Sequence, residues 1–153
     1  MKRIKKLLKV MQAENIEGLL LTSEANITYL TGFTGDSSRL ILSAEGVVFI
    51  TDGRYTEQAE MECHKEIKIQ KWIDDIRYGV ETYGPVCKSL GINRLGFEGE
   101  LVNYYDYIKL SKGLKNIELK PVSGMVESLR IVKDEEEIGF LKTACKISDH
   151  ALE

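Results

Sequence analysis

The stretch that most constrains this chain runs from Asn26 to Ala59, where two strand-like segments, 39–42 and 47–51, flank Ser43-Ala44-Glu45-Gly46. Two short apolar runs joined by a four-residue loop that carries a glycine read as a β-hairpin, with the glycine standing where the backbone turns. Both flanks hold more polar and aromatic side chains than a plain connection requires. Tyr29, Phe33, Asp36 and Arg39 lie upstream around Gly32 and Gly35, and Asp52, Arg54 and Tyr55 lie downstream. Such clusters at strand ends in α/β proteins either brace the turns or supply binding groups, and spacing alone favours the bracing role.

Around the hairpin, helix and strand patterns alternate. Residues 2–15 place Ile4, Leu7, Leu8 and Met11 on one helical face. Lys2, Arg3, Lys5 and Lys6 crowd the first turns of that helix, the unfavourable end for its dipole. A basic amphipathic helix can lie on a membrane, but the solvated outer face of a docked helix is the favoured reading. Leu19-Leu20-Leu21 is uniformly apolar, as in a strand covered on both faces. Ser23 is placed to cap a brief helix over 24–30.

After the hairpin, a helix is expected from Asp52 or Gly53 to about His64, then a half-exposed strand over 67–72. Asp74 is expected to cap a helix running toward Leu90, kinked or broken at Gly84-Pro85. A strand follows over 95–98, a helix capped by Asn103 and stopped by Gly113, and a last strand over 117–121. This order predicts an α/β fold: a mixed, mostly parallel sheet with one β-hairpin and helices on both faces.

A chain of 153 residues fits one domain with a substantial core. Its charged content of 29% and net charge of −3 argue against a nucleic-acid or anionic-membrane partner held through bulk charge. No apolar run is long enough to span a bilayer, and lysines interrupt the apolar positions of the N-terminus, which lacks a signal-peptide core. Cys63, Cys87 and Cys145 are widely spaced and form no CxxC, so neither a disulfide framework nor a zinc site is indicated; a reducing cytoplasm is the natural compartment.

Gly32-Phe33-Thr34-Gly35 matches the GxxG loop of KH modules, but Asp36 follows at once and no lysine adjoins it, so RNA binding is disfavoured. No dinucleotide or P-loop motif occurs. Cys63-His64 and Asp149-His150 are adjacent on predicted helices, so their side chains diverge and do not converge on one metal ion. Cys145 reads as a buried or docking residue rather than a nucleophile. Asp36 with Arg39, and Arg54 with Glu57, are spaced three apart: each is either a local ion pair or an arginine free to grip a carboxylate. Tyr104, Tyr105 and Tyr107 cluster at a helix start, where packing is favoured over base stacking.

The end of the chain differs in kind. Asp134 and Glu137 have capping-box spacing before an amphipathic helix through Leu152. Ile138, Leu141, Cys145 and Leu152 form its apolar face, widened by Phe140, Ala144 and Ile147, and the sequence closes at Glu153 without a helix-stop signal. A helix cut in mid-pattern is expected of a fragment separated from its partner.

Asn26-Ile27-Thr28-Tyr29-Leu30-Thr31-Gly32-Phe33-Thr34-Gly35, then Thr51-Asp52-Gly53-Arg54-Tyr55 with Gln58-Ala59, resemble the N-terminal domain of Xaa-Pro aminopeptidases and prolidases, shared with creatinase. Leu129-Arg130-Ile131-Val132-Lys133-Asp134-Glu135-Glu136-Glu137-Ile138, with Leu141-Lys142 and Ala144, resemble that family's passage into its catalytic domain. The resemblance implies a creatinase N-terminal-like, ribonuclease H-like α/β domain over 1–128, with 129–153 as linker and first helix of a following "pita-bread" metallopeptidase domain. In that family the later domain holds two divalent metals, often manganese or cobalt, that activate water against the bond before proline.

The resemblance implies no catalytic or metal-binding residue within these 153, and no peptidase activity from them alone. It implies a homodimeric, cytoplasmic parent acting on short proline-containing peptides, with this domain restricting the substrate opening and contacting its own catalytic domain. Phe33, Asp36, Arg39, Asp52, Arg54, Tyr55 and Trp72 are the candidates for that opening: Arg39 or Arg54 for a substrate carboxylate, Phe33, Tyr55 or Trp72 for lining. A creatinase-type amidinohydrolase and a free-standing binding module are the alternatives.

Overall fold

The alternation of Leu19, Leu20 and Leu21 explains the architecture. Leu19 and Leu21 enter one apolar cluster and Leu20 the other, so this strand is covered on both sides. A computed structural model describes residues 1–73 and 79–152. Its elements in order are α1 (Lys2–Ala13), β1 (Gly18–Leu21), α2 (Glu24–Thr31), β2 (Ser38–Ser43), β3 (Gly46–Thr51), α3 (Thr56–Glu62) and β4 (Lys68–Lys71). There follow α4 (Val80–Ser89), β5 (Arg94–Glu98), α5 (Tyr104–Gly113), β6 (Glu118–Val122), α6 (Met125–Ile131) and α7 (Glu135–Leu152).

The strands form one sheet in the order β4-β3-β2-β1-β5-β6. β1 pairs antiparallel with β2 and parallel with β5; β2–β3 is the antiparallel hairpin; β3–β4 and β5–β6 are parallel. β2 alone therefore runs against the other strands, and the sheet is mixed and mostly parallel, as the sequence pattern predicts. On one face, Ile4, Leu7 and Met11 of α1, Ile27 and Leu30 of α2 and Val126 of α6 pack on Leu19, Leu40 and Phe49. On the other, Tyr83, Val86 and Cys87 of α4 and Leu110 of α5 pack on Leu20, Ile41 and Leu95. Each such fully buried aliphatic side chain contributes about 1.5–3 kcal/mol.

Local signals place most element ends. Ser23 accepts a hydrogen bond from the Asn26 amide at 3.4 Å, and Asn103 accepts from the Asp106 amide at 3.0 Å, so both capping expectations hold. Asp134 and Glu137 complete a reciprocal capping box, with N–H to carboxylate distances of 2.9 and 3.0 Å.

Four local expectations are corrected. The hairpin loop is two residues, Ala44 and Glu45, because Ser43 pairs with Gly46. Gly46 is not among the positive-φ glycines; it supplies space instead, since a Cβ there would lie 3.3 Å from Leu90 Cδ2. α3 starts at Thr56 rather than at Asp52 or Gly53, because the Asp52 carboxylate takes the Arg54 amide at 2.8 Å and holds the chain in a turn. α4 continues through Pro85 without a break: packing of Tyr83, Val86 and Cys87 outweighs the lost hydrogen bond. The Asp74 cap lies outside the described residues. α6 had no counterpart in the sequence reading; it starts after Gly124, whose φ is 67°.

Candidate functional site

Five of the six strands share one direction, so their C-terminal ends line one edge of the sheet, where α/β proteins place binding groups. Asp52 follows β3, Trp72 follows β4, Glu98 closes β5 and Thr22 follows β1; the antiparallel β2 begins there with Ser38 and Arg39. All the candidates from the sequence reach this edge, but they divide between its two faces.

On the α3 side, Asp52, Arg54, Tyr55 and Asp36 come together. Arg54 donates through Nη2 to Asp52 Oδ2 at 2.6 Å and through Nε to both carboxylate oxygens at 3.1 and 3.2 Å. The expected partner Glu57 is displaced by Asp52, which the turn at 52–55 brings closer. The Arg54 hydrogen bond is the main cause holding the Asp52 carboxyl below the usual carboxylate range. Arg54 also lies over the Tyr55 ring, 5.3 Å from its centroid. The Tyr55 hydroxyl is made less acidic, first by its hydrogen bond to Asp36, so Asp36 serves Tyr55 rather than the expected Arg39. The Arg54 side chain is 72% exposed and that of Asp52 is 15% exposed, so an anchored guanidinium faces solvent.

Phe33 stands behind this cluster and not on its surface. It is fully buried, 6.1 Å from the Tyr55 ring. The loop that carries it owes its two glycines to the fold: Gly32 caps α2 with φ 87°, and a Cβ on Gly35 would lie 2.5 Å from Phe33 Cζ. The Thr34 amide donates to Glu62 at 2.7 Å, and Gln58 donates to the same carboxylate at 2.9 Å. The amide and hydroxyl of Thr34, inside the GxxG stretch, are therefore both taken by a carboxylate.

Arg39 and Trp72 turn to the other face. Arg39 lines a cavity of about 50 Å³ with Leu20, Thr22, Tyr83 and Asp106. Its Nη1 donates to the Ser38 carbonyl at 2.6 Å, while its buried Nε meets no hydrogen-bond partner among the described residues. Trp72 packs against the α4–α5 core cluster. Of the three tyrosines on α5, Tyr107 packs against Phe97 at 5.7 Å; Tyr104 and Tyr105 are exposed. His64 and His150 are exposed, and Cys145 is exposed on α7 rather than buried. Among the described residues no three of His, Cys, Asp and Glu form a set that could hold a metal ion.

A second polar centre at the same edge was not singled out from the sequence. Asn26, fully buried, donates through Nδ2 to Glu98 at 2.6 Å and to Glu127 at 2.5 Å, and accepts from Arg130 at 2.9 Å. Glu98 also accepts from the Thr22 and Ser23 amides at 2.5 and 2.8 Å. Nothing local sets Asn26 apart in a helix start that also carries Ser23, Glu24 and Thr28; its partners lie 72 and 101 residues away.

An α/β module with its polar groups gathered at one sheet edge defines the class, and comparison with known proteins gives the family. The model of the creatinase/prolidase N-terminal domain matches residues 3–132. Over 152 residues the chain is 38% identical to Uncharacterized peptidase YqhT of Bacillus subtilis, covering 97% of this chain and 41% of that protein. It is 28% identical to the Xaa-Pro dipeptidase of Pyrococcus horikoshii, covering 98% of this chain and 40% of the relative. The solved Xaa-Pro dipeptidase from Bacillus anthracis superposes with a TM-score of 0.91 at 34% identity, over 99% of this chain and 41% of that one. The N-terminal domain of the cytoplasmic peptidase PepQ from Mycobacterium tuberculosis superposes at 0.70 with 32% identity, over 84% of this chain and 98% of that one. The chain belongs to the creatinase/prolidase N-terminal domain family. It spans about two-fifths of the length of the curated relatives it matches.

Proposed function

We propose that this chain is the non-catalytic N-terminal domain of a cytoplasmic Xaa-Pro peptidase of the dipeptidase or aminopeptidase type. The supporting observation is its fit, over 99% of its length, to 41% of an Xaa-Pro dipeptidase. In this reading 1–128 form the domain and 129–153 lead into a catalytic domain. The parent is a homodimer that hydrolyses the bond before proline in short peptides. The divalent metals implied by the resemblance, manganese or cobalt, would be held by residues outside these 153; no described side chain here is assigned to a metal.

The domain's part is to border and narrow the substrate opening. Arg54, anchored by Asp52 and backed by Tyr55, is oriented to meet a peptide carboxylate through the part of its guanidinium that Asp52 leaves unused. Tyr55 supplies apolar wall, Asp36 fixes its hydroxyl, and Phe33 supports both from the core. Arg39 and Trp72 would serve only from the opposite face. The family description also covers creatinase, which keeps an amidinohydrolase parent as the second reading.

The deciding experiment compares this chain with the longer polypeptide on an Xaa-Pro peptide with manganese added. Activity in the longer protein alone supports the reading; silence in both moves it to an amidinohydrolase or a binding module. In the longer protein, Arg54→Ala is expected to raise KM about tenfold or more with little change in kcat, the loss of one charged hydrogen-bonding contact. An unchanged KM removes Arg54 from the opening.

A further inference from the structure

We propose that Asn26 is a positioning residue that holds α6, and through it the start of α7, against the C-terminal edge of the sheet. The side chain is fully buried in the first turn of α2, and both its amide nitrogen and its oxygen are engaged by charged partners. Nδ2 bridges two carboxylates, Glu98 of β5 at 2.6 Å and Glu127 of α6 at 2.5 Å; Oδ1 accepts from Arg130 Nη1 at 2.9 Å. Glu98 is itself fixed by the Thr22 and Ser23 amides at the end of β1. Asn26 thus relays a rigid sheet edge to two α6 residues three apart, which share one helix face.

Apolar burial holds α6 only in part: Met125 and Val126 are buried at its start, Leu129 packs half-buried against the same cluster, and α7 buries no residue. Polar contacts from α1 and α2 add to this beyond Val126. The Tyr29 hydroxyl donates to the Leu129 carbonyl at 3.1 Å. Arg3, stacked 4.3 Å from the Tyr29 centroid, reaches Asp134 at 3.5 Å and Glu137 at 3.1 Å in the capping box of α7. The direction of α7 decides where its exposed Phe140, Leu141 and Ile147 are presented. Leucine at position 26 would remove the donor shared by Glu98 Oε1 and Glu127, leaving Glu98 only its bonds from Thr22 and Ser23 to Oε2, and aspartate would add a third carboxylate beside them.

The exposed Cys145 on α7 offers a natural label, because Cys63 and Cys87 are buried. A second label at Lys88→Cys, an exposed position on α4, gives a distance across the molecule by pulsed electron paramagnetic resonance. A narrow distribution is expected in that background. Asn26→Leu and Glu127→Ala should each broaden it and speed amide exchange of residues 125–131 about tenfold, whereas Glu127→Gln, which keeps the acceptor oxygen, should leave both unchanged. Glu127 is exposed, so its variants carry the test if Asn26→Leu does not fold. The proposal is overturned if the background distribution is already as broad as that of the variants. It is also overturned if both variants lower the melting temperature while the distance and the exchange of 125–131 stay as in the parent chain.

Discussion

The ring of Phe33 meets the ring of Phe49 edge-on, with centroids 4.7 Å apart and planes inclined by 64°. The contact ties the loop after α2 to the second strand of the hairpin, and both rings are fully buried. Phe33→Ala should therefore cost about 3–5 kcal/mol, through lost burial and the cavity left behind. Phe33→Leu should cost less, the lost edge-to-face term plus a smaller cavity. Urea unfolding of the two variants checks this; a cost under about 1 kcal/mol for the alanine variant would contradict the burial.

Gly35 and Gly53 should respond oppositely to alanine. A Cβ on Gly35 would fall 2.5 Å from Phe33 Cζ and 3.1 Å from Tyr55 Cδ1, and those rings are held by the core. Gly35→Ala is expected to destabilise by about 1–3 kcal/mol. A Cβ on Gly53 meets nothing within 4 Å, so Gly53→Ala should stay within about 0.5 kcal/mol of the parent. Thermal melting of the pair is the check.

The Asp52–Arg54 pair should have a readable pH signature. The carboxyl titrates below its ordinary value in the folded chain, chiefly through the Arg54 hydrogen bond. A depressed folded value means that the stabilising contribution is present above the unfolded-state pKa and is lost as pH falls through the folded one. An NMR titration should place the Asp52 midpoint below that of aspartate in an unfolded chain, and Arg54→Met should move it upward. Equal midpoints in the two proteins would show that the pair does not persist in solution.

Thiol chemistry should separate the three cysteines. Burial pushes the Cys63 thiol up to about 11 and the Cys87 thiol up to about 12, whereas Cys145 is exposed. At pH 8 a disulfide reagent should modify one thiol in the native chain quickly and three after denaturation. Replacement of Cys145 by serine should abolish the fast phase, and two fast thiols would mean that one core face opens.

Much of the candidate site was legible as composition and little of it as arrangement. The cluster of Asp36, Asp52, Arg54 and Tyr55 was visible as polar residues at the hairpin ends, and the structure does bring them together. That Arg54 would choose Asp52 over Glu57 depended on where α3 begins, a competition at Asp52 between a helix start and a side-chain-held turn; the turn wins and α3 begins at Thr56. That Phe33 would be core depended on the loop after α2 packing onto Phe49, and that Arg39 would face the opposite side of the sheet depended on strand register, since a shift of one residue exchanges the faces.

By itself the sequence determined the elements whose signals are local. The Ser23 and Asn103 caps and the Asp134–Glu137 box close hydrogen bonds three residues apart, and the uniformly apolar Leu19–Leu21 run required cover on both faces whatever the topology. Tertiary structure alone decided what depends on distant partners. It set β1 between β2 and β5, carried α4 past Pro85, and formed α6 after Gly124. It also joined Asn26 to Glu98 and Glu127, 72 and 101 residues away. Short-range hydrogen bonds need only neighbouring backbone, so a few residues specify them. A buried amide between two carboxylates is stable only once sheet and helices have excluded water around it, and no local pattern encodes that condition.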